Sequence, residues 1–550
     1  MTVGESSITG HGGTLAVTAA HHHGQDIMWT LSGAHIFPLY DAAVGESTPM
    51  RIIDVRSEAT AAFAAEATGK LTRTPGLAVV TAGPGVTNTV SAISGAWFNG
   101  SPMVVLGGRA PAARWGSGAL QELDHPPILA PVTKSAATVH DPARIAAEVD
   151  AAFRLASSSH RGPVFLDIPM DALFAHSDGN LSAPDDSESP IDEESITEIA
   201  RLIASAKRPV LILGGDVWAD GAEHQAAELA QQLNLPTIAN GMGRGVLPPN
   251  SPSLATRARG SAFKEADLVV VVGAPLDFRL GFGAFGSPDQ PAAVVHIADS
   301  PEQLAGHTPL AAATAGPLQR ILAQMLTEYE RATDIKDHRS WTSRLREMHL
   351  AAIAADSELL SSNADPIHPA RIYGELLPRL TDDTVVIGDG GDFVSFAGRF
   401  IQPERPGNWL DPGPYGCLGT GLGYAMAARV ARPDSPVVLL MGDGAAGFSL
   451  MDVDTLIRHD LPVVMVVCNN SAWGLEKHPM QFLYGYDVAA DLRPTNYDKV
   501  VTALGGAGET VTDPDEVGSA LDRALAAKVP YLVNVETDTA VAYPRSTTGI

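Results

Sequence analysis

Short apolar runs that stop at glycine- or asparagine-containing turns recur along the chain, separated by stretches of helical spacing. Residues 26–31, 51–54, 77–81, 103–106 and 163–168 form one group of runs, and 210–213, 237–239, 268–272 and 294–297 a second. A third comprises 385–388, 436–441 and 461–468. Such runs, rich in Val, Ile and Leu, suit strands covered on both faces of a parallel sheet. Helices are predicted over 15–23, over 59–69, and over 448–459, where Phe448, Met451, Val453, Leu456 and Ile457 share a stripe. Strand alternating with helix predicts an α/β chain of three doubly wound parallel-sheet domains, the central one of six-stranded type.

Residues 182–194, SAPDDSESPIDEE, mix proline, serine and acids without apolar periodicity, the composition of a solvated connector. Ser195-Ile196-Thr197-Glu198 then reads as a capping box opening the next helix. A polar helical connector is expected over 334–365. The expected domains are therefore 1–185, 195–335 and 365–550. The first and third share a strand, glycine-turn, helix rhythm, consistent with one fold used twice.

The clearest chemistry lies in 436–476, where one buried run ends at Gly442-Asp443-Gly444 and the next at Asn469-Asn470. The carboxyl ends of parallel strands share one edge of the sheet, so Asp443 and Asn470 can meet there although 27 positions apart. A carboxylate, an amide oxygen and a carbonyl suit magnesium that keeps phosphate oxygens as its other ligands, while flanking glycines let backbone amides approach a phosphate. Gly-Asp-Gly alone is also an ordinary turn sequence. Gly390-Gly391-Asp392-Phe393, a glycine turn at another strand end, is expected near the same diphosphate.

GDG followed, one helix and one strand later, by NN resembles the thiamine-diphosphate motif. The flanking residues resemble the acetolactate synthase and 2-hydroxyacyl-CoA lyase branch of that superfamily, from about Leu15 to Ala542. The resemblance implies that Asp443, the Asn470 side chain and the Ala472 carbonyl hold Mg2+. It places Gly391, Asp392, Phe393, Gly442, Gly444, Ala445, Trp473, Gly474 and Leu475 around thiamine diphosphate, with Leu418 propping the bent cofactor and the Gly416 carbonyl accepting from its amine. Gly33 and Ala34 would lie over the thiazolium, and Gly83 and Asn88 belong to a GPG loop. Glu58 would face the pyrimidine ring, where a carboxyl in an apolar pocket can exchange the proton that activates the cofactor. His35 stands where acetolactate synthases usually carry a small residue, and either contacts substrate or is simply packed. Gln121 is kept, whereas Leu120 replaces a phenylalanine and makes the acceptor wall aliphatic. Glu476, after the metal turn, resembles the lyase acid/base glutamate. A non-catalytic FAD or ADP is implied in the central domain at Gly214, Gly215, Arg244, Arg279 and Asp299.

Two enzyme readings follow: a lyase cleaving a 2-hydroxyacyl-CoA to formyl-CoA and an aldehyde or ketone, preferred here, and an acetolactate synthase joining 2-oxo acids. A non-catalytic cofactor-binding paralogue is disfavoured by the joint presence of Glu58, Asp443 and Asn470. The pyrimidine and diphosphate halves come from different subunits in the family, so a homodimer at least, and a homotetramer, is expected. The 550 residues carry a net charge of −26, with 37 basic against 63 acidic residues, which excludes a nucleic-acid partner. No apolar run approaches a membrane span and the N-terminus lacks a basic-then-apolar signal pattern, so a cytoplasmic enzyme of small molecules is expected. The two cysteines, Cys417 and Cys468, read as core thiols.

Overall fold

The computed structural model describes residues 6–45, 48–182 and 190–543. Residues 183–189 of the expected connector lie outside them. Three parallel sheets dominate. In the first, strands Ile27–Thr30, Arg51–Asp54, Gly76–Val80, Met103–Arg109, Ser135–Thr138 and Pro163–Pro169 lie in the spatial order second, first, third, fourth, sixth, fifth. The third sheet repeats that order with Val385–Asp389, Trp409–Leu410, Val437–Gly442, Val464–Asn469, Ala507–Val511 and Tyr531–Glu536. One topology is thus used twice in the chain. The central sheet has five strands where six-stranded type was expected, in the order second, first, third, fourth, fifth: Pro209–Leu213, Thr237–Ala239, Leu268–Val272, Ala293–Ala298 and Ala312–Ala315.

This order fixes where ligands can bind. Connections from the first and third strands leave for opposite faces, so a crevice opens beyond their carboxyl ends. Each sheet has one such switch point, and in each the loops there are rich in glycine and polar residues.

Helix Glu58–Thr72 joins the first and third domains. Five alanines, Phe63, Glu66 and Thr68 are buried along it, and it packs in one continuous core with helix Gly421–Ala431. Small side chains permit the close approach: a Cβ on Gly423 would stand 2.9 Å from the Thr60 carbonyl oxygen. A helix buried on all sides needs no amphipathic stripe, and this one shows none.

The next helix begins at Glu193, two residues before the expected Ser195, because Asp192 is its cap and accepts from the Ser195 amide at 3.1 Å. Helix Arg339–Ala355, within the expected connector, buries Trp341 and Leu345 against the central domain. Cys468 is buried as expected, whereas Cys417 is only partly so, its thiol donating to the Ser91 carbonyl at 3.3 Å. Among the described residues no helix is long and apolar enough to cross a membrane.

Candidate active site

At the switch point of the third sheet a cleft of about 620 Å3 lies between the loops following Val385–Asp389, Val437–Gly442 and Val464–Asn469. Gly391, Asp392, Phe393, Leu418, Gly442, Asp443, Gly444, Ala445, Asn470, Ala472, Trp473, Gly474, Leu475 and Glu476 all line it. Gly416 does not; it is exposed on the neighbouring loop at φ +72°.

Asp443 opens helix Asp443–Ser449, so the turn is itself the start of a helix. The single helix expected over 448–459 is divided by a 3-10 turn, Leu450–Asp452, before Val453–Arg458. That turn changes the helical phase. Val453 and Leu456 are buried, but Phe448 is 63% exposed and Met451 also faces out, contrary to the expected stripe. Phe448 instead stands edge-on to Trp473 beside the cleft, with ring centroids 6.4 Å apart. Gly444 is needed where it is, because a Cβ there would come within 2.4 Å of the Trp473 ring.

Asp443 is 3% exposed. Its Oδ1 accepts from the Gly444 amide at 2.9 Å, while Oδ2 is buried without a hydrogen-bond partner. Burial pushes the carboxyl up to about 6. A buried carboxylate oxygen without a donor is costly unless a proton or a cation meets it. Asn470 and Ala472 flank Ser471, a non-glycine residue at φ +53°, and the Asn470 Oδ1 accepts from the Ala472 amide at 3.1 Å. Two oxygen-bearing side chains and a carbonyl are thus gathered on one wall, and this set fits a hard divalent cation carrying a diphosphate. Sequence reasoning missed Asp389, which is fully buried and accepts from the amides of Gly419 at 3.0 Å and Gly421 at 2.8 Å. It ties the loop carrying Leu418 to the sheet. The available signal was a carboxylate at the end of an apolar strand.

A second group collects at the switch point of the first sheet. Glu58 is buried, and its Oε2 accepts from Asn88 Nδ2 at 3.0 Å. Gly83 adopts φ +60°, and its amide donates to Nε2 of the buried His125 at 2.9 Å. His125 therefore carries its proton on Nδ1, which faces Asp167 Oδ2 at 2.8 Å, and Arg109 donates to the same oxygen at 2.9 Å. This His–Asp–Arg chain anchors the glycine turn from behind and was not foreseen, although Asp167 in an apolar strand was its signal. A Cβ on Gly83 would meet that of Gln121 at 2.9 Å, so Gln121, itself at φ +59°, lies against the turn. His35 is buried with Nδ1 3.2 Å from Thr81 Oγ1, and burial lowers its pKa. Gly33 packs on the same Thr81, and the neighbouring Ala34 is exposed. Leu120 is 74% exposed.

Asp452 connects the two groups. Its carboxylate accepts from the Arg56 amide and the Thr60 hydroxyl, both at 2.6 Å, bracketing Glu58 from the third domain of the same chain. Among the described residues no first-domain residue lines the third-domain cleft, so Glu58 and Asp443 do not share that cleft within one chain.

The central sheet also carries a cleft at its switch point, lined by Gly215, Asp216, Asn240, Gly273, Ala274 and Arg279, with Lys70, Arg73, His160 and Arg161 from the first domain. Three residues expected there do not line it. Arg244 is buried elsewhere, donating to the carbonyls of Gly398 and Ile401 and stacking on Trp409. Asp299 is paired with His160, and Gly214 is packed against Gly273.

Residues 11–128, 196–325 and 389–535 match, in order, the N-terminal TPP binding domain, the central domain and the C-terminal TPP binding domain of thiamine pyrophosphate enzymes. The chain is 46% identical over 544 residues to a probable acetolactate synthase of Mycobacterium bovis, covering 98% of this chain and 97% of that protein. It is 33% identical over 568 residues to 2-hydroxyacyl-CoA lyase 2 of Caenorhabditis elegans, covering 94% and 87%, and 30% identical over 552 residues to the human protein of the same name, covering 92% and 86%. With both cofactor-binding domains matched and relatives aligned over nearly its whole length, this chain belongs to the family of thiamine pyrophosphate enzymes.

Proposed function

We propose that this enzyme cleaves a carbon–carbon bond beside the acyl carbonyl of a short 2-hydroxyacyl-CoA, giving formyl-CoA and an aldehyde or ketone. The supporting observation is Glu476. It stands on the rim of the cleft six residues beyond Asn470, and among the described residues its side chain makes no hydrogen bond or ion pair. Thiamine diphosphate, when bound, supplies the nucleophilic carbon and the electron sink. Asp443, Asn470 and the Ala472 carbonyl would hold Mg2+, with the Gly444 and Ala445 amides toward the diphosphate and Leu418 packing against the cofactor. Glu58 would exchange the activating proton and keep its orientation through Asn88. Glu476 takes the proton of the substrate hydroxyl as the bond breaks and returns one to the carbon left behind, so that hydroxyacyl-CoA becomes aldehyde plus formyl-CoA with no atom gained or lost. His35 and Gln121 would orient the substrate carbonyl, beside an aliphatic wall at Leu120.

The acetolactate synthase reading rests on the 46% identical relative, whose name carries that activity. Decarboxylation of a 2-oxo acid removes no hydroxyl proton and asks less of Glu476. Glu476→Ala is expected to slow cleavage of a short 2-hydroxyacyl-CoA at least about tenfold, with cofactor affinity unchanged. Loss of melting temperature with full activity would make Glu476 a helix-capping residue instead.

The enzyme is proposed to be cytoplasmic and to act as a homodimer or homotetramer, because no described first-domain residue lines the cleft around Asp443 and a second copy would supply that wall. The proposed domains remain 1–185, 195–335 and 365–550.

A further inference from the structure

We propose that the central-domain cleft rejects nucleotide diphosphates such as ADP and FAD, and that Asp216 is the residue that bars them. In a sheet of this order a dinucleotide lies beyond the first and third strands, with its pyrophosphate against the amides that open the helix after the first. Here those positions are Gly214, Gly215 and Asp216, following Pro209–Leu213, with Gly273 and Ala274 following Leu268–Val272. Two of the three amides that open the helix are already used. Gly214 donates to the Val272 carbonyl at 2.9 Å and Asp216 to the Gly273 carbonyl at 3.1 Å. The two turns are packed so closely that a Cβ on Gly214 would lie 2.1 Å from the Gly273 oxygen.

Charge works in the same direction. Asp216 contributes a carboxylate to the cleft wall, and its nearest cation is His160 at 4.0 Å. Burial first, and the Asp299 carboxylate second, push Asp216 up to about 7. A diphosphate would add further negative charge to that pair. The cations that could offset it each have an ion-pair partner, His160 with Asp299 at 3.0 Å, Arg161 with Asp220 at 3.0 Å, Arg279 with Asp277 at 2.7 Å, and Arg73 with Glu223 at 2.8 Å, although Arg73 Nε and Arg161 Nη1 are buried without a hydrogen-bond partner. Lys70 stands 3.6 Å from the buried Glu66. Freeing His160 or Lys70 would strand the buried carboxylate of Asp299 or Glu66. The residues present therefore do not fit the nucleotide that the family resemblance implies.

The test, run at pH 8 where Asp216 is ionised, is calorimetric titration of the full-length protein with ADP, and fluorescence titration with FAD, on wild type, Asp216→Asn and Asp216→Gly. Wild type is expected to show no saturable binding at millimolar nucleotide. Each folded variant is expected to bind ADP at least about tenfold more tightly, since one charge a few ångströms from a phosphate is worth more than a tenfold change at intermediate dielectric. Wild-type protein that retains a stoichiometric nucleotide, or binds one at micromolar concentration, overturns the proposal. Two folded variants, verified by melting curves, that bind no better than wild type overturn the assignment to Asp216. Thiamine diphosphate titrated in parallel should bind all three proteins alike, which separates failure here from failure at the catalytic cleft.

Discussion

Replacing Asp443 by asparagine should have opposite effects on the protein without and with its cofactors. In the metal-free protein the Asp443 carboxyl is pushed from the ordinary 3.8 up to about 6 by burial, with Oδ2 unpartnered. At 1.36 kcal/mol per unit, ionising it in place costs ~3 kcal/mol. A carboxyl with a raised folded-state pKa stabilises while protonated, and that contribution is lost as pH rises from 3.8 through about 6. Above pH ~6 the asparagine variant escapes this cost, less about 1–3 kcal/mol for an amide lacking full hydrogen bonding. Metal-free Asp443→Asn should therefore melt at or above wild type at pH 8, and the advantage should vanish near pH 4. Adding Mg2+ and thiamine diphosphate should reverse the order, because on the proposed role of Asp443 only the carboxylate would gain the cation. If Asp443 holds Mg2+ as proposed, the metal would compete with a proton there, and apparent metal affinity in the wild type should fall about tenfold per pH unit below ~6. Scanning calorimetry at several pH values, with and without both ligands, reads these effects. Equal stabilisation of variant and wild type by Mg2+ and cofactor would refute the reasoning.

Glu58→Gln should leave folding and cofactor affinity intact, since Gln can still accept from Asn88, yet lower turnover by about 10² to 10⁴-fold; hydrogen exchange at the reactive cofactor carbon, followed by NMR, measures this, and an unchanged rate removes Glu58 from the mechanism. Mixing Glu58→Gln with Asp443→Ala chains should restore about a quarter of wild-type activity if each site draws on two copies of a symmetric dimer, whereas sites built within one chain would stay dead. Asp452→Ala should reduce kcat more than Mg2+ affinity, because it frees the Arg56 amide and Thr60 hydroxyl around Glu58; Asp452→Asn should recover part of the loss. Equal loss in metal titrations would make Asp452 a general structural brace.

Most inner strands of the first and third sheets were legible because they are apolar runs buried on both faces, as with Val437–Gly442, although the inner strand Tyr531–Glu536 was not foreseen. Edge strands such as Ser135–Thr138 and Ala507–Val511 were not, being short, only partly buried and without an apolar run. The third-domain cleft was readable almost residue by residue, since loops at aligned strand ends must converge. His125, Asp389 and Asp452 were not, because each acts through a partner far along the chain whose position only the packed fold supplies. Arg244, which the resemblance implied at the nucleotide site, is instead claimed by the interdomain carbonyls of Gly398 and Ile401.

The most direct test is product analysis by mass spectrometry of wild-type protein loaded with Mg2+ and thiamine diphosphate. Short 2-hydroxyacyl-CoA esters and pyruvate should be offered in separate reactions. Formyl-CoA and the matching aldehyde in equal amounts, dependent on both cofactors, are predicted from the acyl-CoA. Acetolactate from pyruvate with no acyl-CoA cleavage would contradict the lyase assignment and leave the synthase reading standing.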